Sequence, residues 1–298
     1  MSGALLVVGD VVTDVVAVHT EPLTPATDTA ARIRTLPGGA GANAACWAAH
    51  EGLADVGLLA RVGTDSADWH HRALLAAGVR PRLVVDPAVP TGTVVALVGG
   101  DAERTFLTDS GAALRLSPAD WAPALLDGVA HLHLSGYLFF ADSSRELARV
   151  ALRAAVARGV PVSVDPASVG FLAGLGTEGF LAAAAGTDVL LPNEAEARLL
   201  AGLPPDAPAA RAAAELSRRV PLVVVTRGEA GALVAREGAV TAEVAAAPSR
   251  AVDTTGAGDA FTGGFLAARL SGASAVEAAR AGCLAAALAV TRLGGRPV

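Results

Sequence analysis

Lysine is missing from this 298-residue chain; all 23 of its basic residues are arginines. A Walker A loop, the strand lysine of protein kinases and a Schiff-base centre each require a lysine, so none of them is present. Any nucleotide chemistry must therefore rest on arginine, helix N-termini and a metal ion. Cysteine is almost as scarce. Cys46 and Cys283 lie in apolar, helix-like stretches with no histidine at ligand spacing, and read as buried free thiols rather than a disulfide or a metal site. No run of about 20 apolar residues free of charges and turn formers occurs, which argues against a membrane span. Residues 1–9 lack a basic leader and read as a buried strand, so a cytoplasmic location is expected. The net charge of −6 speaks against a nucleic-acid footprint and for a small or neutral partner.

The chain is 52% hydrophobic, enough to bury a large core. Short apolar runs at 4–9, 56–62, 129–135, 160–165, 187–191 and 222–226 have the composition of strands buried on both faces. Helical stretches are expected at 40–50, 65–77, 117–126, 142–158, from 193 onward, and at 273–292. Such alternation predicts an α/β fold, a three-layer, mainly parallel sheet with helices on both faces, with ligands at the carboxyl ends of the strands. Asp10, Ser135, Asp165 and Asn193 fall at such ends. More polar, alternating stretches at 14–18, 29–35, 91–98 and 103–108 predict a small β-sheet lid outside the main sheet, drawn from about 14–36 and 90–110, all within one domain spanning 1–298. Thr93, Arg104 and Phe106 would face a substrate from that lid, or merely belong to an exposed hairpin.

The chemistry is expected in residues 251–265. Gly256, Ala257 and Gly258 let several N–H groups point one way at the start of a helix, a cradle for an anion, and Asp259 stands beside it as a candidate proton acceptor. Read without further context, the same residues are equally a glycine-rich helix start with an aspartate in its first turn. Gly39-x-Gly41-x-x-Ala44 imitates a dinucleotide fingerprint. However, it follows a proline and a lid strand instead of the first buried strand, and the next strand carries Arg61 instead of an acid. His131 and His133 share one face of a strand, but with no third ligand they read as hydrogen-bonded histidines; His70 and His71 read as lying on a partly exposed helix.

Residues 253–261, Asp-Thr-Thr-Gly-Ala-Gly-Asp-Ala-Phe, resemble the C-terminal signature of the ribokinase-like, or PfkB-type, carbohydrate kinases. The resemblance runs through the chain: Gly38, Gly39 and Asn43 match the family's substrate motif, Asn193 and Glu196 its Asn-x-x-Glu motif, and Thr226, Gly228 and Gly231 its nucleotide turn. It implies an ATP-dependent kinase acting on a hydroxymethyl group of a sugar. Asp259 would be the base; Gly256, Ala257 and Gly258 would form the anion hole; and Asp14, Gly38, Gly39 and Asn43 would hold the acceptor. Asn193, Thr226, Gly228, Gly231, Gly256 and Gly258 would meet the nucleotide, and Glu196 would hold Mg²⁺ through water. Asp253 and Thr255, with the backbone near 290–297, would enclose K⁺. Arg227 is assigned either to the phosphates or to solvent. Val12 and Ala40 depart from the ribokinase pattern, so the acceptor stays open between a pentose or hexose, a nucleoside of the pseudouridine or adenosine type and, less favoured, 2-keto-3-deoxygluconate with Arg104 on its carboxylate. A homodimer through the lid is implied as well. From other classes, a nicotinamide oxidoreductase would need the Gly39 fingerprint after a first strand, and a non-catalytic sugar sensor would not need Asp259.

Overall fold

The computed structural model describes residues 3–99 and 104–297. The turn expected around residues 99–101 and the start of the following strand at Glu103 lie largely outside them, as does the side chain of Arg104.

The chain opens with β1 (Ala4–Val8), β2 (Val12–His19), β3 (Ala31–Gly38), α1 (Ala40–His50), β4 (Val56–Gly63), α2 (Ala67–Ala76), β5 (Val79–Asp86), β6 (Thr91–Val98) and β7 (Arg104–Gly111). It continues through β8 (Val129–Ser135), α3 (Asp142–Ala157), β9 (Val162–Asp165), α4 (Val169–Leu175), α5 (Thr177–Ala183), β10 (Val189–Leu190), α6 (Glu194–Leu200) and α7 (Ala209–Leu216). It ends with β11 (Leu222–Thr226), β12 (Ala232–Arg236), β13 (Ala239–Val244), α8 (Ala257–Leu270) and α9 (Ala275–Ala289).

Among the described residues the strands form two sheets. The larger, in the order β13-β12-β11-β10-β9-β8-β1-β4-β5, is parallel from β5 to β11 and ends in an antiparallel β12–β13 hairpin. Strand alternation divides its core. Leu6 and Val8 of β1 point into a layer with α3 to α7, whereas Leu5 and Val7 point into one with α1, α2, α8 and α9. The small sheet, β3-β2-β6-β7, is built from the four stretches read as lid strands. Five consecutive residues of β3 are exposed, in keeping with its polar alternation. Among the described residues no helix is long and apolar enough to cross a membrane.

Three expectations need correction. The helix read at 117–126 is instead two short 3₁₀ turns, Pro118–Asp120 and Pro123–Leu126. Pro123 has no N–H to continue the first turn, and Asp120 is occupied, accepting from Ser117 N (2.8 Å) and from Arg61 Nη1 (3.0 Å). The helix read from Asp65 begins two residues later, because the Asp65 carboxylate leaves the helix to accept from Thr91 N at 2.8 Å. His70 is fully buried rather than partly exposed, its Nε2 lying 3.1 Å from Thr13 Oγ1, while His71 is exposed. The Nε2 of His131 and the Nδ1 of His133 each lie 2.9 Å from Ser163 Oγ, the hydrogen-bonded arrangement read from the sequence. Both cysteines are free and buried.

Candidate active site

The start of α8 is shaped by its glycine. Gly256 caps the helix in the left-handed region, φ 74°, and a β-carbon there would overlap the Cα of Gly295 in the segment after α9. Asp253 fixes the approach from two sides, its Oδ1 accepting from Thr255 N at 2.8 Å and its Oδ2 from Gly294 N at 2.9 Å. The helix start leaves amide groups toward the cleft. The three expected cradle amides are not equivalent, since Ala257 N already donates to Thr254 O, at 3.3 Å.

Asp259, in the first turn of α8, meets Asn43 of α1, whose Nδ2 donates to Asp259 Oδ2 at 2.8 Å. The two helices are held at this point by the packing of apolar residues from α1 and α8 in one core layer. Burial holds the Asp259 carboxyl well above the ordinary carboxylate range; Asp165, Asp10 and Asp14 push the same way, against the Asn43 hydrogen bond.

The glycine turn before α1 is organised from β1. Asp10, just past that strand, accepts from Ala40 N (2.8 Å), Gly41 N (3.1 Å) and Ser135 Oγ (2.8 Å), so it caps α1 from another element. Gly39 has φ 101°, and a β-carbon would come within 2.5 Å of the Asp10 carbonyl. Gly38 lies against the Asp14 carboxyl, which a β-carbon there would displace. Burial raises Asp14 to about 7, opposed by the Arg296 guanidinium and reinforced by the charges of Asp10 and Asp253.

On the other side of the cleft, Asn193 and Glu196 form a capping box: Asn193 Oδ1 accepts from Glu196 N, and Glu196 Oε2 from Asn193 N, both at 2.9 Å. A parallel bridge sets Asn193 beside Thr226 at the end of β11. Burial, then the charge of Asp165, lifts Glu196 to about 8; burial lifts Asp165 to about 6, with the Ala167 amide opposing. Two buried carboxylates that resist ionisation together suit a divalent cation. Among the described residues no group of three or more metal-ligating side chains occurs, and a carboxylate pair is in keeping with Mg²⁺ held by one or two carboxylates, phosphates and water.

Two cavities converge here. The larger, about 840 Å³, is lined by Asp14, Gly39, Asn43, Asn193, Glu196, Thr255 and Gly256 through Asp259, among others. The smaller, about 510 Å³, is lined by Gly228, Gly231, Ala247, Cys283 and Ala287, with neighbouring apolar residues. They share Thr226, Thr254, Ala257 and Gly258, so they meet at the start of α8. Gly38 and Asp253 lie behind this surface. Of the small-sheet residues, Phe106 lines the larger cavity, together with Val12 and Val94, but Thr93 does not. Arg227 points into neither; it donates to Ala230 O and pairs with Glu243 at 3.2 Å, bracing the turn after β11.

Several residues of the site were not singled out from the sequence. Tyr137, Phe140 and Phe171 form an aromatic group, with Phe140 and Phe171 stacked at 5.1 Å and Tyr137 edge-on to Phe171 at 5.7 Å; Tyr137 and Phe171 line the larger cavity. Arg296, beyond α9, donates to Asn43 Oδ1 (3.3 Å) and to Gly38 O (2.8 Å). Apart from its polar segment so near the sequence end, nothing local marks it.

A mixed sheet between two helical layers, with a small second sheet and a carboxylate beside a helix-start cradle, is the arrangement of the ribokinase-like kinases. The family model for pfkB family carbohydrate kinases matches residues 3–298, and the chain belongs to that family. It is similar to a fructokinase of Klebsiella pneumoniae, 32% identical over 277 residues, covering 90% of this chain and 84% of the relative. Among solved structures it superposes on an adenosine kinase of Sinorhizobium meliloti with TM-score 0.89 and 25% identity, over 100% of this chain and 97% of the other. A putative ribokinase II of E. coli in complex with ATP and Mg²⁺ gives TM-score 0.85 and 27% identity, over 98% and 94%.

Proposed function

We propose that this sugar or nucleoside kinase of the PfkB family transfers the γ-phosphoryl group of ATP to a hydroxymethyl group of a neutral sugar, working in the cytoplasm. The observation that carries the reading is the meeting of the two cavities at Ala257 and Gly258, with Asp259 facing the larger one. ATP is assigned to the smaller cavity, its base against apolar walls and its phosphates reaching Asn193, Thr226, Gly228, Gly231 and the start of α8. The amides of Gly256 and Gly258, with the helix dipole, receive the transferred group. The acceptor lies against Asp14, Gly39 and Asn43, beside Gly38, and Asp259 takes the proton of the attacking hydroxyl.

Asp165 and Glu196 fit Mg²⁺, which when bound offsets phosphate charge. Asp253, whose oxygens accept from Thr255 N and Gly294 N, is assigned to K⁺ together with Thr255 and the backbone near 290–297. The four-stranded sheet acts as a lid that excludes water from the cleft. Its exposed Ile33 and Leu107 supply an apolar surface for a homodimer; a monomer in light scattering would refute that assembly.

The larger cavity is lined by Asp10, Asp14, Asp165, Glu196 and Asp259, and no described lining residue is cationic. That charge favours a neutral acceptor over a carboxylate-bearing one such as a sugar acid. A nucleoside is the second reading, supported by the aromatic wall of Tyr137 and Phe171, on which a base can stack. The test is ADP release with purified protein across pentoses, hexoses, sugar acids and nucleosides, with Mg²⁺ and with or without K⁺. Acceptor-dependent release with a neutral sugar supports the first reading and with a nucleoside the second; release only with sugar acids, or with no acceptor, rejects both.

A further inference from the structure

Arg296 stands behind the cleft and does not line it. Its Nε donates to Asn43 Oδ1 at 3.3 Å and its Nη2 to Gly38 O at 2.8 Å. Both contacts fall on the glycine turn and helix start that face the acceptor. A guanidinium has five N–H donors and no acceptor, so only the oxygen end of an amide can face it. The Asn43 amide is thereby set: its oxygen is taken by Arg296, and its NH₂ is turned to Asp259, where Nδ2 meets Oδ2 at 2.8 Å. Turned the other way, the amide would direct its oxygen at a carboxylate and its NH₂ at a cation.

Resting on the kinase reading above, we infer that Arg296 is a positioning residue for the phosphotransfer: acting through Asn43, it fixes which end of that amide the Asp259 carboxylate and the acceptor hydroxyls meet. The chain Arg296–Asn43–Asp259 joins the segment after α9 to α1 and α8, and only Asp259 and Asn43 touch the cleft. The guanidinium has a second effect in the same direction. It faces Asp14 and Asp10, and so opposes the accumulation of carboxylates around the acceptor. Besides Asn43, the groups facing Asp259 are Asp165, Asp10 and Asp14, from the ends of β9, β1 and within β2, and the phenol of Tyr137.

The test compares Arg296→Met, which removes the donors, with Arg296→Lys, which keeps a donor-only cation, and combines each with Asn43→Ala. Arg296→Met should lower kcat by about 10- to 100-fold, the scale of a misplaced reacting group, and shift the acid limb of the kcat/KM profile upward. Arg296→Lys should recover most of that loss. Adding Asn43→Ala to Arg296→Met should cost little beyond Asn43→Ala alone, because both act through one amide. A purely structural role would lower Tm and leave the acid limb and the additivity unchanged. Full additivity, or an unshifted acid limb in Arg296→Met, overturns the inference. A separate readout is independent of turnover: carboxyl carbon NMR of Asp259 in the wild type, Arg296→Lys and Arg296→Met. Titration displaced upward in Arg296→Met and near wild type in Arg296→Lys supports the inference, and unchanged titration in both overturns it. Absence of any acceptor phosphorylation by the wild type would instead reject the kinase reading, leaving the NMR result to decide the role of Arg296.

Discussion

Gly256 and Gly295 pack backbone against backbone, so that a β-carbon on the first would occupy the space of the Cα of the second. Residues 39 positions apart thus shape the start of α8 together. Gly256→Ala should be doubly unfavourable, because its φ of 74° disfavours any L side chain and the contact leaves no room. A loss of about 1–3 kcal/mol in stability is expected, with a larger fall in kcat than in Tm would suggest. Chemical denaturation alongside steady-state kinetics checks this; an Ala variant with normal values would show that the close contact does not shape the cradle.

Asp259→Asn tests the proposed proton acceptor while keeping its size and an oxygen for the Asn43 amide. Turnover should fall by about 10²- to 10⁴-fold, with acceptor binding retained. Isothermal titration with the acceptor and an ADP-release assay separate the two effects, and near-normal turnover would remove Asp259 from the reaction.

Stability of the unliganded protein should fall as pH rises from about 6.5 to 8. Asp14, lifted to about 7 by burial, and Glu196, lifted to about 8 by burial and Asp165, bind protons in the folded state that the unfolded chain has already released. Their contribution is complete below the unfolded carboxylate range and is lost through the folded values. Below about 6.5 the buried histidines act the opposite way: burial lowers His70 and His131 to about 4 and His133 to about 3, so the unfolded chain is then the better proton binder. Tm measured from pH 6.5 to 8 should decline in the wild type and flatten in Glu196→Gln; an unchanged slope in that variant would contradict the assignment.

Phe171 divides the two acceptor classes. If a base stacks on the aromatic wall, Phe171→Ala should raise KM for a nucleoside by about 10-fold, the cost of one stacking contact, and barely affect a free pentose. Equal effects on both acceptors would argue that Phe171 only supports the loop after β9.

The carboxyl-end residues Asp10, Ser135, Asp165 and Asn193 were readable because short apolar runs bounded by turn formers identify buried parallel strands, and their ends must face the ligand side. β5 was not read as a strand, since Arg80, Pro81 and Arg82 disguise it; they are tolerated at the sheet edge, where one side is unpaired. The 3₁₀ turns at 118–126 were misread because proline at a helix start and proline that breaks one look alike locally. Asp14, Asn43 and the start of α8 were visible through local motifs. Arg296 was not, because the two ends of its contact with Asn43 are 253 residues apart and nothing in either neighbourhood encodes their meeting.

Asp259 and Arg296 reach Asn43 from 216 and 253 residues further along the chain. During synthesis the turn that carries Asn43 leaves the ribosome long before the carboxylate and the guanidinium that meet it. A nascent chain can therefore complete β1 to β11 while Asn43 still lacks both of the side chains that hold its amide in the folded protein.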